Sequence, residues 1–193
     1  MKRICVFCGS NTGSKSIYAE TAHNLGKLLA QNNIGLVYGG GRVGLMGILA
    51  DSALATSGEV IGIIPKGLFA REVAHEGLTE LRYVESMHQR KAIMAELSDG
   101  FIALPGGYGT CEEFCEMVTW AQLGIHNKPC GVLNIEGFYD SYLSFLDTAV
   151  KEGFLRMEHR KLILEDEHPF ELLNKMRNYH PPTLPKWIDL DQS

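Results

Sequence analysis

Seven short runs rich in β-branched and aromatic residues punctuate this chain, and most are separated by a stretch long enough for a helix. The runs are Ile4–Cys8, Ile34–Tyr38, Val60–Ile64, Leu81–Val84, Phe101–Leu104, Cys130–Leu133 and Leu162–Leu164. Helix-length segments between them include Ile17–Gln31, Leu45–Ser57, Arg90–Leu97, Glu112–Leu123 and Tyr139–Lys151. Runs such as Val60–Ile64 and Phe101–Leu104 are apolar almost throughout, so they read as strands covered on both faces. Strand, helix and strand in series imply right-handed crossovers. The expected fold is an α/β, Rossmann-like three-layer α/β/α sandwich built on an open parallel sheet.

At 193 residues the chain is long enough to bury a core without disulfides or metals. Residues 1–180 read as a single Rossmann-like domain. The stretch 181–193 carries Pro181, Pro182 and Pro185 and reads as a proline-rich tail that packs along the surface through Leu184 and Trp187. Lys66–Gly77, with Gly67, Arg71, Glu72 and Gly77, is the longest connection without a clear period and is expected to be a loop over a site. The net charge of -5 argues against a nucleic-acid partner but leaves room for a small anion. No apolar run approaches a membrane span, and the N-terminal residues lack the pattern of a signal peptide. An odd number of cysteines (Cys5, Cys8, Cys111, Cys115 and Cys130) suggests free thiols and a cytoplasmic location.

Three of the strands run into glycine-rich turns: Cys8–Gly13, Gly39–Gly44 and Pro105–Thr110. In a parallel sheet these turns share the carboxyl edge, where ligands bind. Glycine lets a phosphate approach the backbone, and the following helix points free N–H groups at it. Gly9, Ser10, Gly40 and Gly41 are therefore candidate nucleotide contacts. Each turn taken singly could be just a tight connection; their convergence is the informative feature.

Familiar motifs mostly fail. Gly39-x-Gly41-x-x-Gly44 fits a dinucleotide fingerprint, but Glu59 precedes its strand and would lie on the wrong edge for a ribose contact. The stretch from Gly9 to Ser14-Lys15-Ser16 lacks the second glycine of a P-loop. Cys5 and Cys8 have metal-site spacing, but inside a strand they face opposite sides. Cys111 and Cys115 lack further ligands, and no histidine pattern points to a metal.

Two segments carry charge into this edge. Ser86 and Gln89 form a capping-box signature, which places Arg90 and Lys91 near the start of a helix, where cations are disfavoured unless an anion joins them. They could equally be solvated surface cations. Thr110 and Glu113 also fit a capping box, so Glu113 is either a helix cap or a catalytic carboxylate.

Pro105-Gly106-Gly107-Tyr108-Gly109-Thr110-Cys111-Glu112-Glu113 resembles the PGGxGTxxE signature of the Lonely Guy family, the cytokinin riboside 5'-monophosphate phosphoribohydrolases once labelled possible lysine decarboxylases. Met87–Lys91 resembles the companion MHxRK segment. The likeness runs from Cys5 to about Phe154, including Gly39–Gly47 and Trp120–Lys128, and is weaker after Leu155. The resemblance implies hydrolysis of the N-glycosidic bond of a nucleoside 5'-monophosphate to free base and ribose 5-phosphate. It implies Arg90 and Glu113 as the catalytic pair. It also implies substrate contacts at Glu72, Lys91, Gly106, Gly107, Tyr108, Gly109, Thr110, Cys111, Glu112 and Thr119. A homodimer and no cofactor are expected.

The chemistry agrees with that implication. Glycosidic cleavage builds positive charge near the anomeric carbon, which Glu113 could stabilise while activating water. Arg90 either binds the phosphoribosyl part or assists the leaving base. Three alternatives remain: a broader AMP or purine nucleotide nucleosidase, a non-catalytic nucleotide or molybdenum-cofactor carrier of similar fold, and the decarboxylase of the old label.

Overall fold

The structure is a computed structural model and describes residues 1–66 and 74–182. Seven strands appear where the apolar runs predict them: β1 (Arg3–Phe7), β2 (Gly35–Tyr38), β3 (Val60–Pro65), β4 (Glu80–Val84), β5 (Phe101–Ala103), β6 (Cys130–Leu133) and β7 (Ile163–Asp166). All pair in parallel, in the order β4-β3-β2-β1-β5-β6-β7. The inner strands β2, β3, β5 and β6 are buried at every residue, which is why their sequences are continuously apolar.

Helices cover both faces. On one side lie α1 (Ser16–Gln31), α2 (Gly44–Ala55) and, following α6 (Met157–Arg160), the helix α7 (Pro169–Arg177). Leu25, Leu29, Leu49, Ala53, Leu172 and Met176 pack there against Ile4, Val6, Leu36 and Ile102. On the other side lie α3 (Met87–Leu97), α4 (Tyr108–Gln122) and α5 (Asp140–Lys151). Their Met94, Phe114, Met117 and Leu143 pack against Cys5, Phe7, Val37, Ile61 and Phe101. Successive strand residues such as Ile4 and Cys5 thus feed opposite cores, as strand alternation requires. Cys5 and Cys8 likewise fall in separate cores, so that pair is structural.

The chain moves outward from β1 through β2 and β3 to β4, then crosses back to β5 on the other side of β1. The connections beyond β1 and β5 therefore diverge, and this switch point opens a crevice at the carboxyl edge of the sheet.

One helix start differs from expectation and another follows it. α4 begins at Tyr108, four residues before Glu112, so the third glycine turn is itself the first turn of the helix. α3 begins at Met87, where the Ser86 capping box predicts it. α7 starts at His168-Pro169, where proline at the first helical position is a start signal. Among the described residues no helix is long and apolar enough to cross a membrane. The tail residues 183–193, including Leu184 and Trp187, lie outside the described residues, as do Gly67, Arg71 and Glu72 of the long connection.

Candidate active site

Gly9 joins the three glycine turns. Its N–H donates to Pro105 O at 3.0 Å, and its carbonyl accepts from Leu45 N in the first turn of α2 at 3.1 Å. Gly44 lies against the Ser10 backbone with φ of 60°; an added Cβ would come within 2.2 Å of Ser10 C. Only glycine combines that approach with that backbone conformation. The turns are thus bonded into one surface at the switch point.

A cavity of about 290 Å³ opens on this surface. It is lined by Gly9–Gly13, Gly106 and Gly107, with Tyr18, Leu45 and Phe138 as its apolar wall. The Tyr18 and Phe138 rings meet edge to face, with centroids 5.9 Å apart. Lys15 pairs with Glu136 in the chain segment that carries Phe138. Tyr139 anchors that segment by donating its hydroxyl to Leu104 O at 2.6 Å. Sequence reasoning missed Tyr18, Leu45 and Phe138, because an apolar residue lining a pocket looks like any core residue.

The start of α4 adjoins this lining at Gly107. Gly107 is the N-cap and no side chain caps the helix. The first N–H groups of a helix have no acceptor within it, so those of Tyr108 and Gly109 are available to an anion together with the positive end of the dipole. A Cβ added at Gly107 or Gly109 would meet nothing within 4 Å, so these glycines leave open space where a ligand can approach the backbone. Thr110 is buried, its hydroxyl tucked against Gly106. Tyr108 is almost fully exposed and does not line the cavity.

The helix start also decides the role of Glu113. With Gly107 as N-cap, Thr110 is the third helical residue and Glu113 the sixth. A capping box needs Ser or Thr at the N-cap and the acid at the third position, so Glu113 is not that cap. Its carboxylate lies 3.9 Å from Arg90 Nη1 and is largely buried. Burial raises the Cys8 thiol pKa, and the nearby Glu113 carboxylate raises it further.

Arg90 is buried, contrary to the solvated-cation alternative. The Ser86 box forms: Ser86 Oγ accepts from Gln89 N at 3.2 Å, and Gln89 Oε1 accepts from Glu85 N at 2.8 Å. One position on, Arg90 turns inward. Its Nε donates to Ile63 O at 3.0 Å and its Nη2 to Gly39 O at 2.8 Å. The guanidinium so ties together the ends of β2 and β3 and presents Nη1 to Glu113. A Cβ at Gly39 would sit 2.1 Å from Nη2, so glycine there makes room for the arginine.

Lys91 is buried too, but faces α4 rather than the cavity. It pairs with Glu112 and, at 3.1 Å, with Glu116. Burial alone would lower its pKa; the two carboxylates outweigh that and hold it above the usual lysine value. Gly40 and Gly41 are buried and do not line the cavity. Cys111 is half-buried on α4. Thr119 lies two and a half turns beyond Thr110 and lines a separate cavity of about 130 Å³ with Cys115 and Tyr142. Glu59 pairs with Arg3 at the opposite edge of the sheet, against a dinucleotide role. Among the described residues no cluster of His, Cys, Asp and Glu could hold a metal ion.

A doubly wound parallel sheet with an uncapped helix start and a buried Arg–Glu pair defines an α/β protein of Rossmann-like type with a candidate ligand site at its carboxyl edge. Comparison with known proteins narrows this. The chain belongs to the Lonely Guy family: the family model described as "Possible lysine decarboxylase" matches residues 46–176. Cytokinin riboside 5'-monophosphate phosphoribohydrolases LOG1 and LOG3 of Arabidopsis thaliana are 53% and 54% identical to it, over 93% of this chain and 84% of each relative. The LOG phosphoribohydrolase of Oryza sativa subsp. japonica is 52% identical over 93% of this chain and 74% of its own length. In fold, the chain is similar to the molybdenum cofactor carrier protein of Chlamydomonas reinhardtii, with a TM-score of 0.69 at 19% identity, covering 91% of this chain and 96% of that one.

Proposed function

We propose that this protein hydrolyses the N-glycosidic bond of cytokinin riboside 5'-monophosphates, releasing the free base and ribose 5-phosphate. The observation that carries the reading is the Glu113 carboxylate 3.9 Å from the Arg90 guanidinium, beside a helix start whose N–H groups can take a phosphate. Relatives named for this activity at more than 50% identity support it.

The 5'-phosphate sits at the N–H groups of Tyr108 and Gly109, where the helix dipole favours an anion. It does not react; its binding energy orients the sugar. Water attacks the anomeric carbon as the carbon–nitrogen bond breaks. The hydroxyl stays on the sugar, and the water proton taken up by Glu113 is the one that ends on the departing base, delivered directly or through solvent. Positive charge grows at the anomeric carbon, and the Glu113 carboxylate stabilises it and takes the proton of the attacking water. Of the two roles open to Arg90, the geometry favours orientation: two of its nitrogens are held by carbonyls, and the third faces Glu113. Lys91 acts at one remove, neutralising Glu112 and Glu116 on the same helix as Glu113.

The working form is a homodimer in the cytoplasm. Leu123, Ile125, Phe145 and Phe154 supply exposed apolar surface for association, and the five free thiols suit a reducing compartment. Sedimentation equilibrium reads the dimer directly.

Chromatography of bases released from a nucleotide panel tests the activity. Turnover is expected for N6-prenylated AMP and, more slowly, for AMP, with little for the matching nucleosides. Equal turnover with and without the phosphate contradicts the anchoring role of α4. Gly107→Ala probes the same anchor, because its Cβ enters open space and leaves the fold undisturbed. The expected result is a KM raised by roughly tenfold with an unchanged melting temperature, about 1.4 kcal/mol of lost phosphate binding.

A further inference from the structure

We infer that His75 is a positioning residue: with Asp51 it clamps the second glycine turn, and through that turn it holds Arg90. His75 is buried in the short described stretch just before β4. Its main-chain N–H donates to Gly40 O at 3.0 Å, and Ala74 forms an antiparallel bridge with Gly41. The ring reaches across to α2, where Nε2 meets Asp51 Oδ1 at 2.8 Å.

The hydrogen bonds select one ring form. Gly77 N–H donates to Nδ1 at 3.2 Å, so Nδ1 carries no proton. The proton of the neutral imidazole therefore sits on Nε2 and is donated to Asp51. Both ring nitrogens are satisfied, which offsets the cost of burying a polar ring. The ring fastens the connecting stretch to α2, and the stretch fastens the turn.

Successive carbonyls of that turn are thus claimed from opposite sides. Gly39 O accepts from Arg90 Nη2 at 2.8 Å, and Gly40 O accepts from His75 N. Gly40 has a φ of 78°, and its Cα would lie 2.8 Å from a Cβ on Gly62, so the turn has little room to relax. If the His75 side lets go, Gly39 O moves relative to Ile63 O, and Arg90 cannot satisfy both while facing Glu113. His75 is not among the residues that line the cavity, so its effect on turnover is transmitted through the turn.

The test uses the full chain and four variants: His75→Ala, His75→Gln, Asp51→Ala and Asp51→Asn. Hydrogen–deuterium exchange is followed in peptides spanning 38–44, and kcat and KM are measured on N6-prenylated AMP. His75→Ala is expected to speed exchange in 38–44 and to lower kcat by about tenfold with KM changed less than threefold. His75→Gln keeps a donor for Asp51 and is expected to recover most of kcat. Asp51→Asn keeps the Oδ1 acceptor and is expected to stay near wild type, whereas Asp51→Ala follows His75→Ala. Unchanged exchange in His75→Ala, or faster exchange with a wild-type kcat, overturns the inference. So does a lowered kcat with unchanged exchange. If His75→Ala does not fold, Asp51→Ala, a change on an exposed helix face, decides in its place. The kinetic arm rests on the proposed glycosidase activity. Should wild type release no base, that activity fails, and exchange alone still decides the clamp.

Discussion

Glu113→Gln is expected to lower the rate of base release by roughly 10²–10⁴ while the protein stays folded. The substitution preserves shape and polarity but removes the negative charge that faces the developing cation. It also removes the group that takes the water proton. Because Glu113 is the sixth residue of α4 rather than its cap, the helix start does not depend on it. The melting temperature is therefore expected to stay within about 5 °C of wild type. Kinetics on N6-prenylated AMP alongside a thermal melt separate the two effects. Wild-type turnover by the folded variant would leave the carboxylate without a catalytic role.

Arg90→Ala is expected to remove activity and stability together. Arginine satisfies the buried carbonyls of Ile63 and Gly39 and faces a buried carboxylate. Its loss strands both carbonyls and leaves Glu113 without that counter-charge, at a cost of about 2–4 kcal/mol. For a chain of this size that lowers the melting temperature by roughly 5–15 °C. Measured well below that temperature, kcat/KM is expected to fall by about 10² or more, because Glu113 loses its orientation and its ionised form loses support. Arg90→Lys recovers little, since one ammonium cannot span both carbonyls and still meet Glu113. A folded Arg90→Ala protein with wild-type kcat/KM contradicts the assignment.

The roles of Glu113 and Arg90 are not legible in the sequence alone. Both lie in motifs that resemble those of the Lonely Guy family. Their roles were open for a local reason: Thr110-x-x-Glu113 and Ser86-x-x-Gln89 carry the same helix-start pattern. One forms a cap and the other does not. Gly107 begins α4 early, because helix N–H groups and glycine tolerate a start that propensity alone disfavours. The inward turn of Arg90 was equally hidden, since a charged residue on a short helix with little amphipathic character gives no sign of which way it points.

Lys91 illustrates the same limit. The motif puts it next to Arg90, yet one step along a helix rotates a side chain by about 100°, enough to send one cation to the strand ends and the other to the carboxylates of α4. Glu72 falls outside the described residues. Tyr18, Leu45 and Phe138 come together only because the turns that follow β1, β2 and β6 meet at one edge.

What the amino-acid sequence determined by itself was the order and type of the strands and main helices, and the presence of three glycine turns on one edge. These depend on periodicity and on the conformational freedom of glycine, both local properties. What tertiary structure decided was which of the charged residues meet: that Gly9 bonds the turns together, that Arg90 closes on two carbonyls and Glu113, and that His75 reaches Asp51. Those contacts join residues 23 to 96 positions apart in a polar setting, where many pairings are chemically equivalent and only the fold selects among them.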